Sequence, residues 1–229
     1  MTSAIFLDIY GVLMDPAPLE VQWRRLIGEF LVPRLGGDAD AWGAANRYAA
    51  DRMFARYRDP KGTPRETHGR LRRMWLREMC EQVGVPIPKN ASALAEEAFA
   101  WVNERHRASF PGTVEAVRDL ASRFALFTSA GLVAQDAAAF LRGLGVRDLF
   151  RETYGGDLID RWKTNSGFYR KILEHSGVHP DEAVTVDDQE KCLDWARRAG
   201  FARTFLLAPA GTASVHPTIA ALSELAARV

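Results

Sequence analysis

The chain has 229 residues, 47% of them hydrophobic and 26% charged, with a formal net charge of +1. That composition suits an ordinary globular protein with room for one large domain or a core plus a smaller one. A nearly neutral chain has no long-range pull towards nucleic acid or a membrane, and no apolar run approaches the ~20 residues that span a bilayer.

No basic-then-apolar leader precedes the first apolar run, so secretion is not expected. Cys80 and Cys192 lie far apart without metal-type spacing, which makes a reducing cytoplasm the expected setting. No internal repeat or low-complexity tract is present.

In chain order, the first predicted element is a strand over Ala4 to Asp8. It closes on a carboxylate, and a glycine-containing turn, Tyr10-Gly11-Val12-Leu13, follows at once. A carboxylate ending an apolar run is costly unless something polar or metallic meets it, and strand ends of this kind carry the chemistry of α/β enzymes. From about Asp15 to Ala108 the pattern is helical only, with breaks at Pro33 to Asp38, Asp59 to Pro64 and Val85 to Asn90. Leu71, Met74, Trp75, Met79 and Val83 recur near helical spacing and should face one core. Trp42, Trp75 and Trp101 are candidates for a pocket wall, although tryptophans at helical positions are commonly core.

The stretch Arg47 to Arg77 holds Arg47, Arg52, Arg56, Arg58, Lys61, Arg65, Arg70, Arg72, Arg73 and Arg77 against Asp51, Asp59 and Glu66. Two readings stay open: a solvated helix face, or a basic lid over an anionic substrate.

Beyond this block the rhythm changes to strand and helix in alternation. Strands are expected at Phe124 to Thr128, Ala183 to Asp187 and Ala202 to Leu207, apolar without strict alternation, as in strands covered on both faces. Helices are expected at Gly112 to Ser122, Ala134 to Leu144, Ser166 to Ser176 and Lys191 to Gly200. The alternation predicts an α/β fold, a Rossmann-like, doubly wound parallel sheet with an α-helical cap inserted after its first strand. The expected division is residues 1–14 and 109–229 for the core and 15–108 for the cap.

Four features fall at strand ends or helix starts. Asp8 is a candidate nucleophile. Thr128 and Ser129 close the second strand, where a hydroxyl and neighbouring amides can hold an anionic oxygen, or simply cap a helix. Lys163, just before the helix at Ser166, can neutralise an aspartate and a bound anion together, or lie at the surface. Asp187 and Asp188 end an apolar strand; adjacent carboxylates repel unless a cation or donors relieve them, and hard oxygen ligands suit Mg²⁺.

Taken in this order, these residues resemble the haloacid dehalogenase (HAD) superfamily over nearly the whole chain: Asp8 with Gly11-Val12-Leu13 looks like its first motif, Thr128 its second, Lys163 its third and Asp187-Asp188 its fourth. The resemblance implies a hydrolase in which Asp8 forms a covalent aspartyl intermediate. It implies catalytic roles for Asp8, Tyr10, Thr128 and Lys163, with Thr128, Ser129 and Lys163 binding the anion. It also implies Mg²⁺ on Asp8, the Tyr10 backbone carbonyl, Asp187 and Asp188.

Tyr10 stands where the phosphatases of that superfamily carry a second aspartate, and it resembles the 2-haloacid dehalogenases, as does Tyr169. Val12, Cys192 and Ala41-Trp42-Gly43 do not match dehalogenase positions, and Asp187 with Asp188 is the metal-type arrangement. The expected function is therefore a Mg²⁺-dependent phosphatase acting on a small anionic metabolite. The alternatives are a carbon–halogen hydrolase and a non-catalytic phosphometabolite-binding protein. Neither nucleic acid nor membrane is an expected partner, and monomer and homodimer are both compatible with the sequence.

Overall fold

The computed structural model describes residues 3–58, 62–131 and 133–229, without the Arg58 side chain. Asp59 and Lys61 of the basic stretch lie outside the described residues. Six strands form one parallel sheet: β1 (Ala4–Leu7), β2 (Ala125–Ser129), β3 (Phe150–Tyr154), β4 (Ala183–Asp187), β5 (Arg203–Leu207) and β6 (Thr218–Ile219), in the order β3-β2-β1-β4-β5-β6. Strand order reverses between β1 and β4, so a crevice opens at their carboxyl ends, the switch point where such sheets bind ligands.

Alternation along the strands separates two faces. Ile5, Leu7, Leu126, Val184 and Val186 meet helices α5 (Thr113–Ala121) and α6 (Ala134–Gly143). Ala4, Phe6, Phe127 and Ala183 meet α7 (Ser166–Ser176) and α8 (Glu190–Ala199). The Phe6 and Phe127 rings stack at 4.9 Å, which confirms that register-paired residues share a face.

The helical cap, inserted after β1, consists of α1 (Pro16–Leu35), α2 (Ala39–Arg58), α3 (Pro64–Val83) and α4 (Ala91–Arg105) around their own apolar cluster. Leu71, Trp75 and Met79 are buried there, with Met74 and Val83 against its edge, as their spacing predicts. Trp42 and Trp75 are fully buried core residues, and each indole N–H has a partner, the Gly36 carbonyl at 2.8 Å and Asn46 Oδ1 at 3.1 Å. Trp101 packs against Phe30, the rings tilted by 51°, at the cluster's margin.

Local signals explain the helix ends. Asp15 accepts from the Ala17 amide at the start of α1, and Thr63 with Glu66 forms a capping box before Pro64 of α3. The break expected from Pro33 begins later, because α1 accommodates that proline in its last turn and ends at Gly36. Strands β3 and β6 fall outside the four expected ones. β3 is an edge strand, paired on one side only, so Arg151 and Glu152 interrupt its apolar pattern; β6 is two residues long.

Cap and core are joined by charge as well as apolar contact. The Arg72 side chain, 2% exposed on α3, donates to Asp136 on α6 and to Glu96 on α4, with its guanidinium over the Phe99 ring. One arginine of the basic stretch therefore does point inward, but onto carboxylates of the protein. Gly143 lets the C-terminal end of α4 approach α6, since a Cβ there would lie 2.3 Å from the Glu104 carbonyl oxygen.

Removing a buried counterion leaves uncompensated charge. Arg72→Met should lower unfolding stability by about 3–5 kcal/mol in urea titration, and adding Asp136→Leu should restore most of it.

Candidate active site

Asp8 follows β1 directly and lies on the α7/α8 face, its amide donating to the Val186 carbonyl at 3.1 Å. The β1–β4 register, Leu7 opposite Val186, sets Asp8 beside Asp187. Lys163 precedes α7 and reaches between them, with Nζ 3.1 Å from Asp8 Oδ2 and 2.7 Å from Asp187 Oδ2. Asp8 and Asp187 are buried, and Lys163 is partly buried with its side chain 8% exposed.

Donors fix the carboxylates unequally. Asp8 Oδ1 accepts the Ile9 amide at 2.8 Å. Asp187 is saturated: besides Lys163, its Oδ2 accepts the Tyr169 hydroxyl at 3.3 Å and its Oδ1 the Gln189 amide at 3.0 Å. Asp188 differs, because its Oδ1 is buried with no hydrogen-bond partner. Nor does it cap α8, whose N-cap is Gln189. Instead it packs on the turn after β1, where a Cβ on Gly11 (φ +84) would lie 2.4 Å from Asp188 Oδ2. Only glycine suits both that backbone and that approach.

Ligand oxygens of Asp8, Asp187 and Asp188 lie within 4.8 Å of one another. Three carboxylates against one ammonium leave the cluster short of positive charge, and a buried orphan oxygen on Asp188 is what a hard divalent cation would take up. The amides of Val12, Leu13 and Met14 all turn to the Ile9 carbonyl, leaving that of Tyr10 outside this set. The donor chemistry fits Mg²⁺.

The electrostatics follow from burial. Asp8 is pushed up to about 7 by desolvation, with Lys163 pulling it back and Asp187 adding to the rise. Burial opposes the charge on Lys163, but Asp187 and Asp8 outweigh it and hold the ammonium well above its ordinary range. Burial and Asp187 raise Asp188. Tyr10, half exposed at the mouth, is also raised, by partial burial and then by Asp188 and Glu20. Its phenol is therefore a weaker acid than a free tyrosine.

The two hydroxyls of β2 part company. Thr128 lies on the α5/α6 face, opposite Leu7, and donates to the Tyr154 carbonyl at 3.0 Å. Ser129 continues the register onto the face of Asp8, and its buried Oγ has no partner. A cavity of about 210 Å³ opens beside Asp8 and Lys163, lined also by Tyr10, Gly131, Gln189, Lys191 and Cys192. Cys192 is a free, buried thiol pushed up to about 12, chiefly by desolvation. Lys191 and Gln189 were not singled out in the sequence; being polar at a helix start, they carry no distinguishing signal there.

Residues 2–200 match the family of haloacid dehalogenase-like hydrolases. Among solved structures, the fold is similar to a 2-haloacid dehalogenase from Pseudomonas syringae pv. Tomato DC3000 (24% identity, 98% of this chain and 96% of that one, TM-score 0.67). It is also similar to a defluorinating L-2-haloacid dehalogenase (16%, 99% and 94%, TM-score 0.68). A third likeness is to a HAD hydrolase from Bacillus subtilis bound to magnesium (16%, 98% and 96%, TM-score 0.65). No curated protein sequence matches significantly. Among the described residues, no helix is long and apolar enough to cross a membrane.

Because Asp8 has a folded pKa of about 7 against 3.8 for an ordinary aspartate, the native state holds that proton more tightly than the unfolded chain. The contribution of Asp8 to stability is thus lost as pH rises from about 4 through 7. Asp8→Asn should therefore raise the metal-free melting temperature at pH 8 and flatten that slope. The same substitution should shrink any rise in melting temperature that MgCl₂ gives the parent protein.

Proposed function

We propose, for a chain that belongs to the haloacid dehalogenase-like hydrolase family, that it is a Mg²⁺-assisted phosphoryl hydrolase of a small anionic metabolite. The observation that carries this reading is the cluster of Asp8, Asp187 and Asp188 with the unpartnered Asp188 Oδ1. Without a cation, three carboxylates around one ammonium would repel any anion that entered. Asp8, Asp188 and the Tyr10 carbonyl would hold Mg²⁺, with Asp187 keeping Lys163 in place. When bound, the ion supplies charge neutralisation for a transferring phosphoryl group.

Asp8 is held at both oxygens, by the Ile9 amide and by Lys163, which orients it as a nucleophile. Its carboxylate forms a bond to phosphorus as the bond to the leaving oxygen breaks. Water then attacks the phosphoryl-aspartate, releasing inorganic phosphate and regenerating Asp8. Lys163 and the unpartnered Ser129 hydroxyl would hold the phosphoryl oxygens. Tyr10 is a poor proton donor at neutral pH, so the favoured substrates are those whose leaving group departs without one: acyl phosphates, phosphoanhydrides and esters of acidic alcohols. The cavity of about 210 Å³ would accommodate a small molecule, and the helical segment 15–108 would act as the cap over it.

Tyr10 favours a second reading. A halide leaves without a proton, so a 2-haloacid dehalogenase needs no acid at this position.

One panel separates the two. Phosphate release that requires Mg²⁺ and vanishes in Asp8→Asn is the expected result. Halide release from short 2-haloacids in excess chelator, with no phosphate release from any ester or anhydride, would give the chain to the second reading. On the responsive substrate, Ser129→Ala should lower kcat/KM by about 10- to 100-fold, the worth of a hydrogen bond to a charged group. Thr128→Val should cost less.

A further inference from the structure

We propose that Arg65 and Trp162, neither of them in the catalytic pocket, are positioning residues for Lys163. Through them the inserted helices hold the loop that aims the ammonium at Asp8 and Asp187. The proposal rests on the reading that Lys163 serves the reaction.

The loop runs from the end of β3 at Tyr154 to the start of α7 at Ser166. It is compact, closed by the Arg161 amide on the Gly156 carbonyl at 2.9 Å and the Thr164 amide on the Trp162 carbonyl at 2.9 Å. It also contains Asp160 at φ 50, the left-handed region that a non-glycine residue enters at a cost. A loop of this kind keeps one shape only when its surroundings determine it, and the surroundings here are the core, against which Ile159 and Leu158 pack, and the cap.

Arg65, in the first turn of α3, donates from Nε to the Asp157 carbonyl at 2.7 Å and from Nη2 to the Leu158 carbonyl at 3.0 Å. One rigid fork thus fixes two successive peptide groups, which a lysine could not do. Trp162 donates from its indole to the Gly62 carbonyl at 2.9 Å, in the segment leading into α3. Its ring packs on Tyr57 of α2 and His68 of α3, with centroids at 5.8 and 5.5 Å. The core grips the same loop at Asp157, whose Oδ1 accepts the Ala134 amide at the start of α6 at 2.8 Å.

Lys163 is the next residue after Trp162. Its contacts with Asp8 and Asp187 have no slack, and a shift of about 1 Å in a catalytic group can cost 10²-fold in rate. Simple docking of cap on core would explain some contact in this region. It does not explain why a bidentate guanidinium and an indole N–H both end on main-chain carbonyls, the first on the loop at Asp157 and Leu158, the second reaching from the residue before the lysine to the cap.

The test uses the full chain with Arg65→Ala and Trp162→Phe, the latter keeping the ring and losing only its N–H. Lys163 acylation by an amine-reactive ester is followed by peptide mass spectrometry, with Lys171, half-exposed on α7, as internal control. In both variants Lys163 should label several-fold faster and Lys171 at its former rate. On the best substrate of the panel, kcat should fall about tenfold or more with a smaller change in KM. Millimolar guanidinium should restore activity to Arg65→Ala but not to Trp162→Phe.

Unchanged Lys163 labelling in both variants would overturn the proposal, as would a loss of kcat in Arg65→Ala that guanidinium does not relieve. Faster labelling with kcat intact would uphold the anchoring and remove Lys163 from the reaction, a failure of the functional reading alone. Arg65→Lys, which retains the charge but not the fork, provides the same comparison if the alanine variant is unstable.

Discussion

One ammonium group, that of Lys163, is shared between two buried carboxylates, and the active-site end of the sheet is organised around it. Without it, Asp8 and Asp187 would face each other in a poorly solvated crevice, a cost of several kcal/mol per ion. With it, Asp8 remains ionisable near neutrality and Asp187 becomes a fully satisfied bracket, its two oxygens also taking Tyr169 and the Gln189 amide. Parallel register makes the arrangement possible by setting the ends of β1 and β4 side by side. Asp188 is left with a buried oxygen, Oδ1, that has no partner, next to a glycine that leaves it room.

Much of this was legible in the sequence because the signals are local. A carboxylate closing an apolar strand marks Asp8, and the pair Asp187-Asp188 marks the second such edge. The helix from Ser166 to Ser176 is bounded by its own cap residues, Asn165 and Gly177. Other features depend on partners far along the chain and leave no pattern. Arg72 is one of ten cations between Arg47 and Arg77, and only the approach of Asp136, 64 residues later, distinguishes it. Thr128 and Ser129 are interchangeable as letters, and strand register alone decides which hydroxyl faces Asp8. Arg65 reaches backbone carbonyls, which every residue has.

The site joins two features that pull in different directions. Its three carboxylates are short of positive charge, whereas the residue two after Asp8 is a tyrosine whose phenol has been made less acidic by partial burial and then by Asp188 and Glu20. These agree if the leaving group needs no help. The constraint then moves from the protein to the substrate, and leaving-group acidity, rather than the shape of the anion alone, becomes the property for which the pocket selects.

The Arg72 contact has a consequence for how the fold can be altered. Asp136 belongs to a core helix, yet its counterion comes from the cap. The two parts therefore do not behave as interchangeable modules. A minimal core lacking residues 16–105 would carry a stranded carboxylate in α6, and a cap grafted from another protein would have to present a cation at the same point. Swapping caps to redirect specificity, a natural engineering route for an inserted helical unit, is limited here by electrostatics before it is limited by shape.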